Sequence, residues 1–237
     1  MSNSDFSCKQ PGLWPSDVPV VIVGSSGLAR EFLGICLDLN MGARVLGFLD
    51  DNASKHGREE DGFPILGAPE WLTTQAPNDT HYVMGIGSTA ARSNLVARLE
   101  SIHAKPATLI SPTASISRFA SVAEGAVICA GVIINTHALI GRHCVVNLSC
   151  TVGHDAILGD FVTLNPGVNV SGNVTIATGA DIGTGSALNQ QLNIGSWTIL
   201  GSGSVVTCDI PDNVTAVGVP ARVTKERDAG WQLRGSQ

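Results

Sequence analysis

The residues best suited to chemistry are His154 and Asp155, which stand side by side in the segment V-G-H-D at 152–155. Histidine is the side chain that exchanges a proton near neutral pH, and an adjacent carboxylate can orient the imidazole and increase its basicity. Such a pair can accept the proton of an attacking nucleophile, as acyl transfer from a thioester requires. An exposed structural histidine would show the same pair of letters, so the pair alone leaves both interpretations open.

A second candidate site is a glycine-rich turn, G-S-S-G at 24–27, between an apolar run and an amphipathic stretch. A turn from a strand into a helix directs backbone N–H groups at an anion such as a phosphate. Two acids follow the next apolar run, where a carboxylate can hydrogen-bond a ribose or a base. The candidate substrate-binding residues are Gly24, Ser25, Ser26, Gly27, Asp50 and Asp51. A G-x-x-G sequence also fits a purely structural turn, and that alternative stays open here.

The elements that must position His154 show a six-residue repeat. From Ile110 to Val206, every sixth residue is Leu, Ile or Val, a regularity that a sandwich or an ordinary sheet would not maintain. The residue four positions after each aliphatic is often small. The residue directly after it is often Gly or Asn, which we expect at corners with positive φ. The pattern resembles the hexapeptide repeat of the left-handed parallel β-helix, in which three hexapeptides form one coil, and the handedness is implied by this resemblance.

Stacked coils would bring residues that are three hexapeptides apart next to one another. Gly172 lies one coil after His154, so its backbone N–H is a candidate donor to an oxyanion. His137 lies one coil before Asp155 and is expected only to stack near it. His143 is expected to be structural or to face the solvent.

Charge and pattern divide the chain into two domains. Residues 107–220 contain no lysine and only two arginines, and they carry the repeat, which predicts an all-β left-handed β-helix. Residues 18–106 alternate strands with helices, which predicts an α/β half-Rossmann domain. The elements expected there are strands at 18–23, 45–49 and 81–86, an amphipathic stretch at 28–41, and helices at 69–74 and 89–102. Residues 1–17 are expected to be a flexible leader and residues 221–237 a C-terminal tail.

The composition argues against several classes of protein. The net charge of −6 and the pI of about 5.4 argue against binding to nucleic acid or to an anionic membrane. No apolar run approaches the ~20 residues that cross a bilayer, and the first residues do not form a signal peptide, so we expect a cytoplasmic protein. The six cysteines form no C-x-x-C pair and are interpreted as buried thiols, with no metal site expected.

The two halves together resemble the bacterial sugar acetyltransferases that include the nucleotide-amino-sugar N-acetyltransferases and the sialic-acid O-acetyltransferase-like proteins. The resemblance extends from Val18 to Arg222. Its motifs are V-I-V-G-S-S-G-L-A-R at 21–30, G-F-L-D-D at 47–51, F-P-I-L-G at 63–67, G-I-G-S at 85–88, N-L-S-C-T-V-G-H-D at 147–155 and I-P-D-N-V-T-A-V-G-V-P-A-R at 210–222.

This resemblance implies an acetyl-CoA-dependent N-acetyltransferase of a nucleotide-linked amino sugar, of the 4-amino-4,6-dideoxy type, that serves surface glycan biosynthesis. It also implies a homotrimer, with acetyl-CoA in the groove between neighbouring β-helices and His154 as the general base. In family register, the acetyl-CoA-binding residues are Thr163, Gly172, Thr184 and Ser202. The alternative is O-acetylation of a sialic-acid-like or other sugar.

Two positions depart from the family pattern. Leu28 follows the glycine turn where the family often has His, and Thr163 stands where members place a second His near acetyl-CoA. We expect both departures to affect affinity or the choice of substrate, and neither to remove the site.

Two other functions are compatible with a trimeric β-helix. A γ-class carbonic anhydrase needs three histidines that converge on zinc across an interface. Here His137, His143 and His154 are separated by 6 and 11 residues, which does not correspond to whole coils. A non-enzymatic scaffold would leave the His154–Asp155 pair without a role. Binding of acetyl-CoA would distinguish the acetyltransferase from both.

Overall fold

The structure, a computed structural model, describes residues 12–233, which form an α/β domain followed by a β-helix. The strands of the first part are β1 (Gly12–Trp14), β2 (Val20–Val23), β3 (Val45–Leu49), β4 (Glu59–Glu60), β5 (Phe63–Gly67), β6 (His81–Met84) and β7 (Lys105–Pro106). The helices are α1 (Gly27–Asp38), α2 (Trp71–Thr74) and α3 (Thr89–Ser101), with 3-10 turns at Gly42–Arg44 and Ala53–Lys55.

Strands β2 to β7 form the predicted half-Rossmann sheet, in the order β4-β5-β3-β2-β6-β7, with only β4 antiparallel among its described strands. The central strand β2 is apolar and buried along its whole length because both faces of the sheet are covered there. Val20 and Ile22 of β2 belong to the cluster that contains α1, whereas Val21 and Val23 belong to the cluster that contains α3. From β2 the chain goes to β3 on one side and later to β6 on the other. Open α/β sheets bind ligands at such a reversal, beyond the carboxyl ends of the strands.

The second part is the predicted three-sided parallel β-helix, which winds left-handed. Its strands are β8 (Thr108–Ile110), β9 (Ser115–Ile116), β10 (Ser121–Val122), β11 (Val127–Ile128), β12 (Ile133–Ile134), β13 (Leu139–Ile140), β14 (Val145–Val146), β15 (Thr151–Val152), β16 (Ile157–Leu158), β17 (Thr163–Leu164), β18 (Asn169–Val170), β19 (Thr175–Ile176), β20 (Asp181–Ile182), β21 (Ala187–Leu188), β22 (Asn193–Ile194), β23 (Ile199–Leu200) and β24 (Val205–Val206).

Each face of the β-helix is one parallel sheet, and β1, from the segment expected to be a flexible leader, is an antiparallel strand beside β8 at the edge of one of them. The first face contains β8, β11, β14, β17, β20 and β23, the second face β9, β12, β15, β18, β21 and β24, and the third face β10, β13, β16, β19 and β22. The aliphatic residues of the repeat point inward and form one continuous core together with the small residues four positions later. Residues three hexapeptides apart pair directly, as Val146 does with Leu164.

The corners differ from the prediction in one respect. Positive φ occurs three residues after the aliphatic, and non-glycine residues such as His137, Asp155 and Trp197 occupy several of these positions. The glycines directly after the aliphatic, such as Gly141 and Gly153, lie outside the left-handed region. A Cβ on either of them would lie 2.6 Å from backbone atoms of the next coil. Directly after the aliphatic residue, glycine is needed because adjacent coils approach closely. The left-handed backbone conformation occurs two residues later in the same corner.

The segment expected to be a tail contains regular structure. Strands β25 (Val214–Val217) and β26 (Arg222–Glu226) form an antiparallel hairpin that extends the first face, and a 3-10 turn follows at Trp231–Leu233. Asn94 of α3 donates a hydrogen bond to the carbonyl of Gln232 (3.2 Å), so the end of the described chain contacts the α/β domain. None of the described helices is long and apolar enough to cross a membrane.

The α/β domain lies against the first face of the β-helix. The outward-pointing residues Leu109, Val127 and Val145 of that face are 0–2% exposed and share one apolar cluster with Phe32 and Cys36 of α1. The first face is therefore covered by the same chain at least from β8 to β14.

Candidate active site

His154 and Asp155 lie at the corner between the second and third faces, and the structure brings the two side chains together. His154 Nδ1 is 2.8 Å from Asp155 Oδ2, and both side chains are about half exposed. The backbone is held by the coils on either side, because the Asp155 amide donates to the Thr136 carbonyl and the Asn173 amide donates to the His154 carbonyl. With Nδ1–H donating to the carboxylate, Nε2 is the nitrogen left to accept a proton.

Gly172 lies directly beside the imidazole of His154. A Cβ on Gly172 would be 2.5 Å from Nε2 and 2.6 Å from Cε1 of that ring, so only glycine leaves room for this orientation. The Gly172 carbonyl accepts from the Gln191 amide, while the Gly172 amide donates to no acceptor among residues 12–233. A free backbone donor next to a base is what stabilisation of an oxyanion requires.

Thr163, assigned to acetyl-CoA by family register, is covered by the chain itself. It lies on the first face, is only 3% exposed, and its Oγ1 accepts a hydrogen bond from Nη2 of Arg92 (2.7 Å). The α/β domain therefore occupies the space that a cofactor would need. We accordingly remove Thr163 from the acetyl-CoA-binding set.

Thr184 and Ser202 are exposed neighbours at a different corner, between the first and second faces. The Gly203 amide donates to the Thr184 carbonyl (2.8 Å), which keeps their two coils in register. The whole width of the second face separates this corner from His154. One chain therefore does not bring Thr184 and Ser202 to the His154 corner.

The other two histidines of the repeat differ in exposure. His137, one coil before Asp155, is exposed and stacks with Phe119 at a ring separation of 5.5 Å. His143 is fully buried between the rings of Tyr82 and Phe161, so the structural alternative applies and the solvent-facing one is wrong. Burial in this sandwich lowers the pKa of His143 to about 3, and its imidazole is neutral.

The glycine turn at 24–27 lies where β2, β3 and β6 end together. Gly24 has a φ of 100°, and its amide donates to the Leu49 carbonyl at the end of β3 (2.7 Å). A Cβ there would lie 3.0 Å from the carbonyl oxygen of Gly85, so only glycine allows the turn to approach the loop after β6. Ser26 and Gly27 are exposed at the beginning of α1, and the Ser26 side chain does not cap the helix. The first amides of α1 therefore face outward beside this turn.

Asp50 joins the turn through its carboxylate. Ser25 Oγ donates to Oδ2 (2.5 Å), Lys55 Nζ donates to the same oxygen (2.8 Å), and the Asn52 amide donates to Oδ1 (2.9 Å). Burial alone would raise the pKa of Asp50, but the hydrogen bonds from Lys55, Ser25 and the Asn52 amide outweigh it. The pKa is lowered and the group stays ionised.

Asp51 does not share this environment. Both of its oxygens accept from Nη1 of Arg98 (2.8 and 3.0 Å), and the same guanidinium binds Glu70. The side chain thus belongs to an exposed ion-pair network on α3. We therefore remove Asp51 from the nucleotide site.

Three residues of this region were not identified from the sequence. Lys55 Nζ also donates to Ser25 Oγ (3.1 Å), and His56 Nε2 lies 2.7 Å from the Asp50 carbonyl oxygen. Arg92 links the loop after β6 to the β-helix. Lys55 ends the short 3-10 turn Ala53–Lys55 and His56 follows it, and in so short an element no periodicity in the sequence indicates which side chains turn back towards the sheet.

Of the cysteines, Cys36, Cys129, Cys144 and Cys150 are buried free thiols as predicted, whereas Cys208 is exposed and Cys8 lies outside the described residues. Within residues 12–233, no group of three His, Cys, Asp or Glu side chains is arranged to hold a metal ion.

Comparison with known proteins identifies relatives of both halves. Residues 19–99 match the PglD N-terminal domain family. A 39-residue segment is 51% identical to the galactoside O-acetyltransferase of Escherichia coli K12, a match that covers 16% of this chain and only 19% of that enzyme.

Solved structures match over almost the whole fold. The acetyltransferase domain of PglB from Neisseria gonorrhoeae has a TM-score of 0.82 at 29% identity, over 88% of this chain and all of that one. A mutant of perosamine N-acetyltransferase from Caulobacter crescentus, in complex with CoA and GDP-perosamine, has a TM-score of 0.81 at 28% identity, over 89% and 99% of the two chains. WeeI from Acinetobacter baumannii has a TM-score of 0.80 at 27% identity, over 87% and 100%.

Proposed function

Because this chain is a member of the hexapeptide-repeat family of bacterial sugar acetyltransferases, we propose that it transfers the acetyl group of acetyl-CoA to the amino group of a nucleotide-linked amino sugar. We assign the sugar to the 4-amino-4,6-dideoxy type and the reaction to the cytoplasm. The observation that carries the proposal is the corner where His154, held by Asp155, presents Nε2 beside the unbonded amide of Gly172. The activities named for the related structures support the same reaction.

The corner suits each step of acetyl transfer. The sugar amine attacks the thioester carbon and forms the new C–N bond while Nε2 of His154 accepts the proton that the amine loses. The carbonyl oxygen becomes negatively charged and accepts a hydrogen bond from the Gly172 amide. Collapse of this intermediate breaks the C–S bond, and the proton held by His154 passes to the sulfur of the leaving CoA.

The two half-sites of one chain lie on different sides of the β-helix. The α/β domain covers the first face, whereas His154 occupies the corner opposite that face, between the second and third faces. The nucleotide site of one copy therefore has to serve the His154 corner of a neighbouring copy. Exposed apolar side chains on the uncovered faces support such an association: Ile133 (46% exposed) and Ile157 (42% exposed) flank the corner.

We therefore expect a homotrimer in solution. Light scattering at micromolar concentration should give three times the mass of the 24.5 kDa chain. A monomeric mass would contradict both the acetyl-CoA groove and the site shared between copies.

Mixed trimers test the shared site directly. One chain carries His154→Ala and the other carries Asp50→Ala with Lys55→Ala, so one half-site is impaired in each homotrimer. The rate is measured with the sugar nucleotide far below its KM, where weaker nucleotide binding lowers the rate. In co-expressed trimers that assemble at random, about one interface in four combines two intact half-sites, and roughly a quarter of the unaltered activity should return. No recovery would mean that each chain builds its site alone.

Asp50→Ala should raise the KM for the sugar nucleotide about tenfold and leave the KM for acetyl-CoA nearly unchanged. The substitution removes the carboxylate that positions Ser25 and Lys55, a loss of about 1–1.5 kcal/mol if one ligand hydrogen bond goes with it. Steady-state kinetics with each substrate varied in turn measures the two constants. Asp51→Ala is the matched control, because Arg98 holds that carboxylate away from the site. Equal effects of Asp50→Ala on both constants would point to a folding defect.

O-acetylation is the second candidate, because the E. coli relative is a galactoside O-acetyltransferase. The test incubates the protein and acetyl-CoA with UDP-, dTDP- and GDP-linked 4-amino sugars and with their 4-hydroxy counterparts. Mass spectrometry then identifies which acceptor gains an acetyl group. Acetylation of the amino sugars alone supports the proposal, and acetylation of the hydroxy sugars alone would replace it.

A further inference from the structure

Arg92 of α3 is a buried cation that connects the two domains. Its side chain is 0% exposed and donates five hydrogen bonds of 2.7–3.0 Å. Its acceptors are the carbonyls of Ile86, Gly87, His143 and Phe161 and the hydroxyl of Thr163. Two of these acceptors belong to the loop after β6, and the other three belong to the β-helix.

No carboxylate within residues 12–233 forms an ion pair with this guanidinium. Burial lowers the pKa of Arg92 to about 10, so the group is still protonated at neutral pH. The charge is balanced by carbonyl oxygens on both sides of the domain boundary and, beyond hydrogen-bonding distance, by the carboxylate of Asp181. Only the planar fork of arginine reaches all of these acceptors at once, because lysine offers a single ammonium group at one point.

The acceptors in the loop determine which way its amides face. In a trans peptide the C=O and the following N–H point in opposite directions. Since the carbonyls of Ile86 and Gly87 point to Arg92, the amides of Gly87 and Ser88 point away from it, and both residues are exposed. This loop lies next to the glycine turn, as the Gly85 amide donates to the Val23 carbonyl (2.8 Å).

We propose that Arg92 is a positioning residue for the nucleotide-linked substrate: it holds the loop after β6 against the β-helix so that the Gly87 and Ser88 amides face the nucleotide site. The inference rests on the proposed function, since it concerns the same substrate. It assigns the second wall of the nucleotide site to this loop, opposite the turn at 24–27. It also ties the geometry of that wall to the β-helix.

Arg92→Lys tests the proposal, with UDP, dTDP and GDP as probes in titration calorimetry. The Kd of the diphosphate that the unaltered protein binds most tightly should rise about tenfold, as expected when ligand hydrogen bonds lose their geometry. The Kd of acetyl-CoA should change less than about twofold. In kinetics, the KM for the sugar nucleotide should rise by the same factor while kcat changes much less.

Two further variants separate positioning from stability. Val145→Ala truncates a buried side chain of the same domain boundary that packs in the cluster with α1, whereas Ile86 of the loop packs in the cluster with α3. This variant should lower Tm and leave the nucleotide Kd within about twofold. Thr163→Val removes one acceptor of Arg92 on the β-helix side and should raise the nucleotide Kd about threefold. This variant also carries the test if Arg92→Lys does not fold.

The outcomes distinguish the two proposals. If the unaltered protein binds a nucleoside diphosphate and Arg92→Lys or Thr163→Val binds it equally well, Arg92 only holds the domains together and the inference is wrong. If Val145→Ala weakens nucleotide binding as much as Arg92→Lys does, the effect comes from weaker packing between the α/β domain and the β-helix, and the inference is wrong. If the unaltered protein binds none of the three diphosphates, the proposed function fails and the inference fails with it.

Discussion

Replacing His154 with alanine should lower kcat by about 10²–10⁴-fold, the usual contribution of a general base. At neutral pH a sugar amine arrives largely protonated, so a group must accept a proton before or during attack on the thioester. Nε2 of His154 is free to do so because Nδ1 is held by Asp155. Binding of acetyl-CoA, measured by calorimetry, should be largely retained, since the imidazole is one contact among many in a groove.

Two variants of neighbouring residues accompany this experiment. Asp155→Asn keeps a hydrogen-bonding group at the same place and should reduce kcat less than the loss of the imidazole does. His137→Asn alters an exposed histidine that lies one coil before Asp155 and has the same φ of 57° as Asp155. This variant should leave kcat close to that of the unaltered protein. If His154→Ala keeps more than about a tenth of kcat across roughly pH 6–9, the alignment of the two substrates is the main source of catalysis and His154 only positions them.

Gly172→Ala should lower kcat by about 10–100-fold with little change in Tm. The new methyl group would overlap the imidazole of His154, whose Nε2 would lie 2.5 Å from it. The exposed ring can swing away at small cost to stability, but it then leaves its hydrogen bond to Asp155 and its place beside the Gly172 amide. A displacement of about 1 Å at a reacting group is enough for a loss of this size. Steady-state kinetics and a thermal melt measure the two effects.

Gly34→Ala is the control for replacing a glycine by alanine, because a Cβ at Gly34 in α1 would contact no atom within 4 Å. Both its activity and its nucleotide binding should be unaffected. Unaltered kcat in Gly172→Ala would show that the imidazole does not act from the position it takes beside Gly172. A large fall in Tm would instead place the damage in the stacking of the coils.

Much of the His154 corner could be predicted from the sequence, because a β-helix turns a fixed sequence separation into spatial contact. The unbroken aliphatic repeat predicted the coil, and the coil predicted that Gly172 would adjoin His154. The pairing of His154 with Asp155 followed from their adjacency at a corner. The repeat did not show which corner residue takes positive φ, because glycine serves two purposes there: close stacking at Gly153 and, three residues after an aliphatic, a left-handed backbone at positions such as Gly125.

Contacts between distant segments were decided by the tertiary structure alone. The position of Thr163 along the repeat does not indicate whether its side chain is exposed or buried, because the α/β domain that buries it is built from residues far away in the sequence. Asp50 and Asp51 look equivalent in sequence, yet successive side chains at a strand end point in opposite directions, one to Lys55 and the other to Arg98. The sequence by itself determined the coil, the places of its corners and the pairing of His154 with Asp155, since these depend on local periodicity and adjacency. Only the packing of the α/β domain on the first face decided that this domain and His154 lie on opposite sides of one chain, because no local pattern encodes which face of a three-sided helix is covered.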